Sequence, residues 1–149
     1  MSNQQHSSSE EEIEIGDTLP LLGKFTKAKD DGTITVVLVH GSGPNDMDET
    51  FGPNKFFKDL AFGLASQGIN SVRYNKRSFD YPSELTRRLT ALTIDEIVVE
   101  DAVGAIQFAR AKGANKVILI GHSLGGHMSA KIAERVAVDG VSAKGHLRT

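Results

Sequence analysis

The chain contains no cysteine. That excludes disulfide bonds, thiolate metal sites and a cysteine nucleophile, and it fits a reducing compartment. No apolar run is long enough to span a membrane. The first residues, MSNQQHSSSEEE, have neither the apolar centre of a secretory signal nor the arginines of a transit peptide. The expected localisation is cytoplasmic, with no membrane partner. A large excess of charge of one sign is also missing. The formal net charge is −2, whereas nucleic-acid binders are normally basic, so no nucleic-acid partner is expected. No internal repeat occurs. What remains is 149 residues, 39% apolar and 24% charged. That is enough for one domain with a core and too little for two.

The patterning alternates strands with helices. Residues 1–12 are polar and acidic without period and read as a disordered tail. Ile13 and Ile15 suggest a short strand and Leu19 to Phe25 a second, with a turn at Gly16-Asp17. Thr33 to Val39 (TITVVLV) is almost wholly β-branched or apolar, as in a parallel strand buried on both faces. Phe56, Phe57, Leu60, Ala61, Leu64 and Ala65 share one helical face, and Gly68 ends that helix. Ile69 to Tyr74 is the next strand. Thr93 and Glu96 form a capping box, flanked by Leu92 and Ile97 as a hydrophobic staple. The helix they start turns Ile97, Ala102, Ile106 and Ala109 inward and stops at Gly113. Val117 to Ile120 is a further strand, and Leu124, Met128 and Ile132 mark a last helix. From residue 139 the pattern fades, so 139–149 reads as an unstructured tail and 13–138 as the domain. The class is α/β, a mostly parallel sheet with helices on both faces.

Two glycine-rich turns follow apolar strands. Val117-Ile118-Leu119-Ile120 runs into Gly121-His122-Ser123-Leu124-Gly125-Gly126. This is the pattern of a sharp strand-to-helix turn that lifts a serine hydroxyl out of the fold. Side chains two residues before and after the serine would collide with the adjoining strand and helix, and Gly121 and Gly125 remove them. The N–H groups of the following helix favour developing negative charge. The second turn, His40-Gly41-Ser42-Gly43-Pro44, ends the TITVVLV run. It is followed by proline and a polar loop rather than directly by a helix, which excludes a dinucleotide-binding reading.

These two motifs, in this order and with helix, strand, helix and strand between them, resemble the α/β-hydrolase superfamily. Within it the chain is similar to the dienelactone hydrolases, acyl-thioester hydrolases and prolyl-oligopeptidase-type peptidases. The stretches GSGPNDMDETFGPNK and LASQGINSVRYNKR carry the same likeness. The resemblance implies the N-terminal portion of that fold, with the five strands in the order 1-2-4-3-5. It implies a serine hydrolase acting on ester, thioester or amide acyl bonds. Ser123 would be the nucleophile, forming an acyl-enzyme. The oxyanion would be held by the N–H of Leu124 and by that of Ser42, with Gly43 as the alternative donor. His40, Gly41, Gly121, His122 and Gly125 would support the elbow and the oxyanion loop. No cofactor and no metal are implied, and the partner is a small-molecule acyl substrate.

Other candidates read more plainly. His40 braces its loop better than it serves as a base, the His122 side chain points away from the hydroxyl, and His127 suits a rim contact. Lys76, Arg77, Arg87 and Arg88 form a basic patch that reads as a solvated face. Asp46, Asp48 and Glu49 read as a polar loop without metal-ligand spacing. In the superfamily the acid and the base follow the serine after later strands. Asp139 and His146 fall in that chain order but lie too close to Ser123 to be the usual pair. The expectation is therefore a truncated hydrolase impaired by the missing acid and base. The alternative is a non-catalytic fragment that associates with another chain. The Val117–Ile120 strand would then be an exposed edge that invites self-association.

Overall fold

The run ITVVLV forms a strand buried along nearly its whole length, and the rest of the sheet assembles around it. The structure, a computed structural model, describes residues 8–16, 19–28, 33–39, 47, 50–51, 54–83, 94–122, 132–133 and 138–144. Its strands are β1 (Ser8–Ile15), β2 (Leu21–Ala28), β3 (Ile34–Val39), β4 (Thr50–Phe51), β5 (Asn54–Lys55), β6 (Asn70–Tyr74), β7 (Lys116–His122) and β8 (Gly140–Lys144). Its helices are α1 (Phe56–Ala65), α2 (Arg77–Asp80) and α3 (Ile94–Ala111). Six strands form one sheet in the order β1-β2-β6-β3-β7-β8, while β4 and β5 pair as a small separate hairpin. The β1–β2 and β2–β6 pairs are antiparallel; β6–β3, β3–β7 and β7–β8 are parallel.

The two faces of the central strands are covered by different helices. Val36 and Leu38 pack with Phe57 of α1, joined by Leu60, Leu64, Ile118 and Ile120. Val37, Val39, Val72, Val117 and Leu119 pack on the other face with Ala102, Ala105, Ile106 and Ala109 of α3 and with Ile132. The inward stripe of α3 is the one the sequence predicts. Both helix stops also occur at glycines in the left-handed region, Gly68 at φ +82° and Gly113 at φ +99°. Phe56, expected on the inner face of α1, is instead exposed. The cap at Thr93 lies outside the described residues, and α3 begins at the next residue.

Three expectations are corrected. The tail expected at 1–12 contains the first half of β1, from Ser8. Its glutamates are tolerated because β1 is an edge strand whose polar side chains reach water or cations. Lys24 and Arg73 pair with Glu10, and Lys112 pairs with Glu11. The tail expected at 139–149 contains β8, so the sheet extends beyond 13–138 at both ends. Most important, β7 is not the outermost strand. The first five sheet strands follow the expected order, but β8 pairs along β7 from Ile118↔Gly140 to His122↔Lys144. Self-association through a bare Val117–Ile120 edge therefore loses its structural basis. Among the described residues no helix is long and apolar enough to cross a membrane.

Candidate active site

The strands β3 and β7 are neighbours, run in the same direction and are in register from Ile34↔Lys116 to Val39↔Gly121. The chain therefore leaves both strands at the same end of the sheet, one interstrand spacing of about 4.8 Å apart. It then departs in opposite directions. After β3 it passes to α1 on one face and to β6 on one side. After β7 it passes Ile132 on the other face and returns as β8 on the other side. Divergence of this kind at the carboxyl ends of adjacent parallel strands opens a crevice, which is where open α/β sheets bind ligands.

Of the residues singled out from sequence, Gly121 lies buried in β7, and His122 is the last residue of that strand. Ser123 is thus the first residue beyond it. His40, Gly41, Ser42, Gly43, Ser123, Leu124 and Gly125 lie outside the described residues, as do His127, His146, Asp46, Asp48, Glu49, Arg87 and Arg88 and the side chain of His122. Asp139 is described. Its carboxylate accepts from the N–H of Val117 at 2.7 Å, and its own N–H donates to the Val117 carbonyl. It therefore belongs to the start of β7, at the opposite end of that strand from His122. The other end of β8 reaches the crevice side, because Lys144 is opposite His122. Among the described residues no cluster of acidic or histidine side chains could hold a metal ion.

A polar network at the same end of the sheet was not singled out from sequence. Asn75 follows directly on β6, beside the end of β3, and is buried. Its Oδ1 accepts from the N–H of Met47 at 2.6 Å, and its Nδ2 donates to Asp80 Oδ1 at 2.8 Å. The other Asp80 oxygen accepts from the N–H of Leu22 at 3.1 Å, and the N–H of Asn75 donates to the Leu22 carbonyl. Next to it, Arg77 is buried rather than part of a solvated basic face. Its Nη2 is 2.9 Å from Asp101 Oδ1, its Nε donates to Asp101 Oδ2 at 3.1 Å, and its Nη1 donates to the Leu19 carbonyl. Leu19 has a left-handed backbone, φ +54°, and the contact from Arg77 helps hold that strained turn. The Tyr81 hydroxyl donates to the Pro20 carbonyl at 2.6 Å. Burial, reinforced by the charge of Asp101, pushes the Tyr74 phenol far above its ordinary value, so it stays neutral beneath this network.

Comparison with known proteins identifies the group. The sequence model of the Alpha/beta hydrolase family matches residues 36–148, well over half of the chain. The chain belongs to the α/β-hydrolase family. This hydrolase-family chain is 50% identical over 123 residues to Esterase EstD of Thermotoga maritima, a match that covers 81% of the chain and 29% of the relative. Its fold is similar to that of a dienelactone hydrolase from Anabaena variabilis, with TM-score 0.70 and 20% identity over 93% of this chain and 63% of that one. It is likewise similar to a serine hydrolase without a lid from Xanthomonas campestris, with TM-score 0.67 and 18% identity over 91% of this chain and 60% of that one. The α/β-hydrolase chain thus spans under a third of the curated relative and about three-fifths of these two structures. It carries the N-terminal portion of the fold.

Proposed function

We propose that the chain carries the nucleophile half of a serine esterase that cleaves a small acyl substrate, an ester before a thioester or amide, in the cytoplasm. Half of its residues in the aligned stretch are those of an esterase. The observation that carries the reading is the pairing of Val39 with Gly121, since the two glycine-rich turns follow those residues on adjacent strands at one end of the sheet. In this reading Ser123 Oγ attacks the acyl carbon and its proton passes to a base. The N–H groups of Leu124 and of Ser42 or Gly43 hold the oxyanion, and the alcohol leaves. Water then hydrolyses the acyl-enzyme.

The base and its carboxylate partner belong, by family resemblance, to strands later than β8. The 149 residues taken alone are therefore expected to hydrolyse esters slowly, in the range of the roughly 10³–10⁴-fold over water that an oxyanion hole and binding retain without a full triad. The chemistry of the step needs no metal or cofactor. A non-catalytic fragment that docks on another protein is the competing reading, and with β7 covered it would use the outer edge of β8 or of β1.

A fluorophosphonate probe tests the proposal, with hydrolysis of a short-chain p-nitrophenyl ester measured alongside. Covalent labelling that maps to Ser123 and disappears in Ser123→Ala is the expected result. A folded sample that stays unlabelled under conditions where a serine esterase reacts would overturn it.

A further inference from the structure

We infer that Asn75 is a positioning residue for the oxyanion step, anchoring through Met47 the chain that runs on from the proposed second oxyanion donor. The inference rests on the reading of Ser42 and Gly43 given above. Residues 40–46 are bounded by two fixed points. One is Val39, locked into the sheet opposite Gly121. The other is Met47, whose N–H donates to Asn75 Oδ1 at 2.6 Å. Between them lie the donors proposed for the oxyanion, and a donor stabilises a transition state only if it is already aimed where the charge appears. Misplacement by about 1 Å costs on the order of a hundredfold in rate.

The chemistry explains why an amide stands at this position. A backbone N–H can only donate, and an ionised carboxylate can only accept. Asn75 sits between one of each, Met47 on its oxygen and Asp80 on its nitrogen. Its orientation is therefore fixed by its partners. Asp80 is fixed in turn by the N–H of Leu22, and the Asn75 backbone by the Leu22 carbonyl. The start of β2, the end of β6, α2 and the segment after β3 are thus joined through one buried side chain. The network ends at Met47, four residues after Gly43 in the sequence.

Exchanging the two polar groups tests the inference. Asn75→Asp sets a carboxylate against Asp80 and removes the donor between them, and Asn75→Ala removes both bonds. In the double variant N75D/D80N a carboxylate at 75 still accepts from Met47 and from the new amide, whose oxygen still accepts from Leu22. Three quantities are measured: the rate of Ser123 labelling by a fluorophosphonate, amide hydrogen exchange across 41–47, and thermal unfolding. Both single variants at 75 are expected to slow labelling at least about tenfold and to speed exchange across 41–47, and the double variant to return both toward the parent. Labelling and exchange unchanged in folded Asn75→Asp overturn the inference. A lower melting temperature with labelling unchanged also overturns it, since that marks a merely structural bond. A double variant that regains stability but not labelling does the same. A parent protein that never labels overturns the esterase reading instead, and exchange across 41–47 then decides by itself whether Asn75 holds the segment.

Discussion

Arg77 and Asp101 form a forked ion pair in which both side chains are almost removed from solvent, 7% and 12% exposed. The pair joins the short α2 to the middle of α3, and through the Leu19 carbonyl it also fixes the turn into β2. Arg77→Met should destabilise the fold by about 3–5 kcal/mol, because the Asp101 carboxylate is then left without its main cation. Arg77→Lys should recover only part of that, since an ammonium cannot reproduce the fork. Urea unfolding of the three proteins is the measurement, with equal slopes required for the comparison.

A second ion pair makes stability depend on acid. Arg73 is fully buried; its Nη1 donates to Thr26 Oγ1 and its Nη2 to Glu10. Burial alone would raise the Glu10 carboxyl, but the hydrogen bond and charge of Arg73, with help from Lys24, outweigh it and hold the group below its ordinary 4.5. The folded value is the depressed one, so the pair contributes fully above the unfolded value near 4.5 and is lost as pH falls through the folded value. Glu10→Gln should therefore lower stability at pH 7 and flatten its decline below about pH 4.5. Melting temperatures of the two proteins from pH 7 to pH 3 should converge.

A buried hydroxyl offers the opposite sign. Ser71 Oγ in β6 is fully buried and has no hydrogen-bond partner among the described residues. Ser71→Ala removes an unpaired polar atom and should stabilise the fold by about 1 kcal/mol, a rise of roughly 3 °C in melting temperature. Differential scanning calorimetry would register it.

Gly23 in β2 lies directly against its partner strand. A Cβ there would stand 2.5 Å from the Arg73 carbonyl oxygen and 3.1 Å from Tyr74 Cβ. The strands would have to separate at the Gly23↔Tyr74 pair. Gly23→Ala should cost at least about 3 kcal/mol and should speed hydrogen exchange along β2 and β6.

What the sequence reveals depends on how local the cause is. TITVVLV announces a doubly buried strand because its residues from Thr35 to Val39 are all buried, on both faces of the sheet. Gly68 and Gly113 announce helix ends because only they enter the left-handed region easily. Residues 8–12 hide their strand because glutamates on an edge answer to cations on distant elements, Arg73 and Lys112 among them. The strand GVSAK hides because its small side chains show no period, and its pairing with β7 comes from the far side of a crossover. The candidate site divides the same way. Its two glycine turns are visible as motifs, while Asn75 is not, because its role exists only once Leu22, Met47 and Asp80 have been gathered from three separate stretches.

The contact between Val39 and Gly121 also has a kinetic consequence. It joins residues separated by more than half of the chain, with α1, β6, α2 and α3 lying between them in sequence. Parallel pairings of such long range form slowly. Late closure of β3 on β7 is the expected consequence, and the return of the proposed Ser123 reactivity after dilution from denaturant should lag behind the recovery of helical signal.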